Sequence, residues 1–448
     1  MLKKILLTIL ALLALAACGG APEDLSYRKE ERALFFEDLD YLATLLEDNL
    51  ALWSVIYRDR GVDIHALTES ARDEILRADN MDNSAFISIL ARHFEPLDRT
   101  AHFYFRFIPP FVPEDFDYDI EELAQYFNVD LENENAYMFL RMVAGSKDWI
   151  TGLYYMARLE MGLETAARFL SSIQNADFYE FLAVSEIEEQ NLRHQIVTEI
   201  LESDRIAYIA LPRLSWYVHR QDEQIFDFYE KIQGFEHLIV DIRGNKGGHA
   251  YIFKSFIIEP NITEPLAAYR FAFGLPTTPI SQERLAFTRY QFQRFTGPHA
   301  AVPAPQILET YHLPDINLED VAKMEDAFKF ESYASPNLLS RFNYQTAFDG
   351  KIWLLIDDGV GSAAELSTRF AQETGFATLV GDVSGGNFGG PLRTWHLRNS
   401  GILVNFDTLY VTDSLGRPFE AGTIPCHPNR EGKDALQTTL ALIDEGQY

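Results

Sequence analysis

The stretch HLIVDIRGNKGG, residues 237–248, is an apolar strand pattern that runs without a break into Gly244, Gly247 and Gly248. A run this apolar is buried on both faces, which is the property of a parallel strand inside an α/β sheet. The pattern recurs along the C-terminal half. RIAYIALPRL (205–214), KIWLLIDD (351–358) and ATLVGD (377–382) read as further strands. DEQIFDFYEKIQGF (222–235), AYIFKSFII (250–258) and SAAELSTRFAQETG (362–375) read as the helices between them. Strands alternating with helices imply parallel pairing through crossover connections, so the fold class is α/β. Ligands of open α/β sheets sit at the carboxyl ends of the strands, which directs attention to the loops after them.

The rest of the chain divides by texture. Residues 31–95 carry apolar side chains at three- and four-residue spacings and read as a helical N-terminal domain, with Asn83 and Ser84 as cap candidates. Residues 96–112 contain the alternating aromatic segment HFYFRF, a strand ending at Pro109 and Pro110. Residues 113–200 return to helical spacing, through EIEEQNLRHQIVTEIL, and read as a helical insert; 201–448 form the α/β core. Within that core, residues 265–345 read as irregular.

The first residues are a targeting segment. MLKKILLTILALLALAACGG places Lys3 and Lys4 before an apolar run from Ile5 to Ala17, the layout of a secretory signal (1–17), too short to be a comfortable membrane span. The ending Leu15-Ala16-Ala17-Cys18 resembles the bacterial lipobox. That resemblance implies cleavage before Cys18, lipidation of its thiol, a tether over 18–30, and an exported protein held by lipid on the extracytoplasmic face of a membrane. The formal charge of −29 argues against nucleic acid as a partner. Only two cysteines exist; with Cys18 lipidated, Cys426 has no intrachain partner. No cluster with zinc-ligand spacing is present, and no cofactor motif is found: the glycine loop lacks the Gly-Lys-Ser/Thr of a phosphate-binding loop.

Two loops carry unusual residues. Gly247 and Gly248 end a buried strand, where backbone N–H groups converge readily on an oxyanion or simply make a tight turn. GVGSAAE (359–365) puts Ser362 at the mouth of a helix, with the amide of Ala363 beside it. Ser362 is there either a nucleophile or the cap of a capping box completed by Glu365. A nucleophilic serine needs a base, and among eleven histidines, His102, His249, His396 and His427 are placed to be considered.

Taken together the motifs resemble the tail-specific (C-terminal processing) serine peptidase family, in the histidine-using branch that includes the tricorn core and retinoid-binding-protein members. The resembling residues are Asp241-Ile242-Arg243-Gly244-Asn245-Lys246-Gly247-Gly248, then Ser362-Ala363-Ala364-Glu365, then Gly381-Asp382-Val383-Ser384-Gly385-Gly386, and finally Glu420-Ala421-Gly422-Thr423-Ile424-Pro425. One branch of that family uses a lysine base; the matching position here is Asn387, and no lysine stands between Lys351 and Lys433. The other uses a histidine ahead of the core, which PLDRTAH offers as His102 with one residue more than usual after Asp98. The resemblance implies a spiral ββα core of the crotonase-like kind, with the helical insert in place of a PDZ domain. It implies an endopeptidase acting on extracytoplasmic proteins or peptides, with Ser362 as nucleophile, His102 as base, Glu420 orienting the imidazole, and an oxyanion hole from Gly247 or Gly248 with Ala363. Glu365 is expected to remain a helix cap, and Lys246 to be exposed. The retinoid-binding members leave a second reading open, a lipoprotein that binds peptides or apolar ligands on the same scaffold without cleaving them.

Overall fold

A computed structural model describes residues 26–98, 100–106, 196–214, 222–275, 302–337, 347–387 and 393–447. The signal segment, Cys18, most of the tether, Pro109 and Pro110, and the insert as far as residue 195 lie outside them. Five helices come first: α1 Ser26–Glu31, α2 Ala33–Asn49, α3 Trp53–Arg60, α4 Ile64–Arg77 and α5 Asn83–His93. The strand β1 Tyr104–Arg106 follows, then β2 Val197–Glu202, β3 Ile206–Ala210, α6 Asp222–Lys231, β4 His237–Asp241 and α7 Ala250–Phe253. Next come β5 Leu266–Gly274, β6 Val302–Pro303, α8 Ala304–Thr310, α9 Leu318–Val321 and β7 Asp326–Ala334. The chain closes with β8 Lys351–Ile356, α10 Ala363–Thr374, β9 Thr378–Gly381, β10 Arg393–His396, β11 Leu403–Phe406, β12 Leu409–Thr412, β13 His427–Pro428 and α11 Ala435–Asp444.

A six-stranded sheet in the order β13-β9-β8-β4-β3-β2 forms the centre. All neighbours are parallel except β2, which runs antiparallel at the edge. The alternation of side chains explains why β4 and β8 are apolar throughout. Leu238, Val240, Leu354 and Ile356 point to one face, where they pack with Ile225, Tyr229, Phe253 and Phe370. Ile239, Trp353 and Leu355 point to the other, beneath Leu442 and Ile443 of α11. A four-stranded antiparallel sheet, β12-β5-β7-β6, and a three-stranded one, β1-β11-β10, complete the fold. The N-terminal helices share one core with these two sheets: Leu42, Leu46, Phe86 and Leu90 are clustered with Phe271, Phe273, Val404, Phe406 and Tyr410.

Three expectations are corrected. Val197–Glu202 is a strand, not the end of a helix. Its β-branched residues pair with β3, and a bulge between Ile200 and Glu202 breaks the alternation that would have marked it. The region 265–345 holds two nine-residue strands, β5 and β7, paired from Leu266↔Ala334 to Gly274↔Asp326. The cap of α5 is Asp82, whose carboxylate accepts the Ala85 N–H at 2.8 Å, rather than Asn83 or Ser84.

Burial predicts the energetics. Replacing fully buried Leu354 with alanine should cost about 2–5 kcal/mol in urea unfolding. Leu318, 63% exposed, should cost no more than about 0.5 kcal/mol on the same change.

Candidate active site

Ser362 sits between the end of β8 and α10 with φ 57° and ψ −125°. That left-handed backbone is costly for a residue with a Cβ, and it takes the side chain out of the capping position. Ser362 makes no side-chain cap bond to α10, so neither it nor Glu365 forms the capping box its spacing allows. The turn is clamped from two sides. Gly361 N–H donates to Asn245 O at 3.0 Å, and Ser362 N–H donates to Gly386 O at 3.0 Å.

The glycine loop lies directly against this turn. A Cβ on Gly247 would stand 2.7 Å from Gly361 O and 2.7 Å from Ser362 Cβ, so only glycine fits. Buried Asn245 fixes the loop: its Nδ2 donates to Leu211 O at 2.7 Å and its Oδ1 accepts Gly247 N–H at 2.9 Å. The Gly247 amide is therefore occupied. The Gly248 and Ala363 amides form no hydrogen bond to another described residue, and Gly248 is exposed. Lys246 is exposed as well.

Glu365 has a different place from the one expected. It is fully buried on α10, where one oxygen accepts Ser384 Oγ and the other accepts Thr423 Oγ1 at 2.6 Å. Ser384 Oγ in turn accepts Thr423 N–H at 2.6 Å. Arg369 Nη2 stands 3.6 Å from Glu365, and its guanidinium also reaches Asp413 at 2.8 Å and Gly422 O at 2.6 Å. Burial raises the pKa of Glu365 against the pull of Arg369 and the two hydroxyls.

His102 lies on a tight turn before β1, anchored by the clustered rings of Phe94, Phe103 and Phe105. Its N–H donates to Asn387 Oδ1 at 2.6 Å, beside the Gly386 carbonyl that holds Ser362. The imidazole Nδ1 lies 2.7 Å from Oδ2 of Asp407. Asp407 is fully buried in the turn between β11 and β12, and its own N–H donates to Ala101 O at 2.7 Å. With a carboxylate on Nδ1 the neutral ring keeps its proton there, which makes Nε2 the basic nitrogen. The position expected of Glu420 is thus occupied by Asp407, a residue that no motif pointed to; its mark in the sequence is a lone carboxylate between the apolar strands LVNF and LYVT. Glu420 instead accepts the Ala101 N–H on Oε1 at 3.1 Å. Its Oε2 is enclosed without a hydrogen-bond partner among the described residues. Burial, and then the nearby Asp407, push the Glu420 pKa up to about 8.

Residues 205–426 match the family model of peptidase family S41. The chain carries a peptidase family S41 domain. The S41 domain makes it a serine peptidase with an α/β core. No curated protein matches the chain. Solved structures similar to it include a candidate peptidase from Parabacteroides merdae ATCC 43184, 15% identical, covering 91% of this chain and 96% of that one at a TM-score of 0.48. Mature CPAF complexed with lactacystin is 12% identical, with 92% and 97% covered and a TM-score of 0.48. The photosystem II D1 C-terminal processing protease is 12% identical, with 52% and 47% covered and a TM-score of 0.31. Every glycine of the S41 motifs named above lies within the matched segment.

The raised pKa of Glu420 has a stability consequence with a definite sign. The folded state holds that proton more tightly than the unfolded chain, so its contribution falls as pH rises from about 4.5 to about 8. Glu420→Gln should therefore gain stability relative to the parent across that window and match it below the window, read as the difference in urea midpoints. An unchanged difference at all pH values would refute the assignment.

Proposed function

We infer that this serine peptidase is an endopeptidase in which Ser362 attacks the scissile carbonyl and His102 serves as base. The observation that carries the reading is the shared clamp: Gly386 O holds the Ser362 amide at 3.0 Å and adjacent Asn387 holds the His102 amide at 2.6 Å. His102 Nε2 takes the Ser362 proton as Oγ attacks, and returns it to the leaving amine. Asp407 holds Nδ1–H and stabilises the imidazolium that forms. This amends a Ser-His-Glu arrangement: Glu420 braces the backbone under the base through Ala101 N–H. The negative oxygen of the tetrahedral intermediate is received by the Gly248 and Ala363 amides, supported by their freedom from other described partners and by the N-terminus of α10. Water then hydrolyses the acyl-enzyme by the same proton path in reverse.

The setting is proposed from the sequence. Cleavage before Cys18 and lipidation of its thiol tether the enzyme outside the cytoplasm, where proteins or peptides are its substrates. The core is proposed to follow the spiral ββα arrangement, with residues 113–195 as the insert that takes the place of a PDZ domain.

Fluorophosphonate labelling and cleavage of fluorescent casein test the reading. Ser362→Ala and His102→Ala should abolish both while leaving urea unfolding near the parent. Asp407→Asn should lower kcat by about 10²–10⁴-fold, because the wrong tautomer is then favoured. A well-folded parent enzyme inert in both assays would overturn the proposal.

A further inference from the structure

We propose that Asn387 is a positioning residue that holds His102 in register with Ser362; the inference rests on the site reading above. Ala101 and His102 have φ 52° and 49°, two consecutive left-handed residues that both carry side chains. Such a pair does not persist unless its surroundings hold it. Three hydrogen bonds do so. Glu420 Oε1 accepts the Ala101 amide at 3.1 Å, the Asp407 amide donates to Ala101 O at 2.7 Å, and Asn387 Oδ1 accepts the His102 amide at 2.6 Å. The bond to Asn387 is the shortest of the three and the one made on the base residue itself.

The other end of this tether is the nucleophile. Gly386 and Asn387 are themselves left-handed, with φ 69° and 57°. That conformation turns the Gly386 carbonyl onto the Ser362 amide while the next side chain reaches His102. Gly386 has no room for a side chain: a Cβ there would stand 2.5 Å from Glu420 O. One dipeptide, braced against the 420 segment, therefore grips both reacting residues through their backbones. Any shift of it moves nucleophile and base together, and loss of its side-chain bond lets the base move alone.

The residue type follows from the task. Asparagine tolerates the left-handed region and offers a neutral acceptor on a short arm. Alanine keeps neither the acceptor nor the preference. Aspartate keeps the acceptor but adds a negative charge beside a histidine that already faces Asp407 on its ring, with Glu420 behind it and Arg60 acting on Glu420 from α3. The added charge favours the imidazolium and moves the acid limb of the rate profile to higher pH.

The test uses the full chain, fluorescent casein for kcat and KM, and the second-order rate of fluorophosphonate labelling across pH. Asn387→Ala should lower kcat and the labelling rate on the order of 10- to 100-fold, with KM within about twofold and the melting temperature close to the parent. Asn387→Asp should regain most of that loss above its shifted acid limb. Parent-like labelling by Asn387→Ala, or an Asn387→Asp variant as impaired as Asn387→Ala at every pH, would overturn the inference. If Asn387→Ala fails to fold, the Asn387→Asp profile decides alone. His102→Ala separates the two levels: lost labelling there with parent-like Asn387→Ala removes only the positioning role, whereas retained labelling in His102→Ala removes the site reading.

Discussion

The site depends on the buried carboxylate of Glu365. It stands one helical turn from Ser362 and binds Ser384 and Thr423, one on each of the two loops that complete the site. The first loop continues to Gly386 and Asn387, which hold Ser362 and His102. The second begins at Glu420, which holds Ala101. A single acidic side chain on the helix that follows Ser362 thus ties together the segments that hold Ser362 and His102. Arg369 offsets part of the cost of burying it and joins the cluster to Asp413.

Around that node, backbone meets backbone. Gly247 against Ser362, Gly386 against Glu420 and Gly422 against Ser384 are approaches at which a Cβ would fall at 2.7 Å or less. Contacts this close fix main-chain amides and carbonyls with little freedom, which suits the backbone N–H groups proposed as oxyanion donors. The strained φ of Ser362 and of the Ala101–His102 pair are stable because these segments hold each other.

This also explains which parts were legible in the sequence. The glycine loop, the serine turn and the glycine turn after β9 each show themselves because close approach permits no other residue. The parallel strands β4 and β8 show themselves because both faces are covered. Glu365 was legible as a residue and misleading as a role: the Ser-x-x-Glu spacing of a capping box and that of this node are identical, and only the φ of Ser362 separates them. Asp407 left only the signal of a lone carboxylate between two apolar strands, since its significance lies in a contact with His102, 305 residues away. Strands β5 and β7 were obscured by Arg270, Lys329 and Glu331 within them and by the fifty-odd residues between them.

The most direct measurement is a crystal structure of the fluorophosphonate-treated full chain. The expected result is a covalent phosphonyl group on Ser362 Oγ, with its oxygen about 2.7–3.1 Å from the Gly248 and Ala363 amides and His102 Nε2 facing Oγ. An adduct on another residue, or an oxygen directed away from both amides, would contradict the assignment of Ser362 and its oxyanion hole.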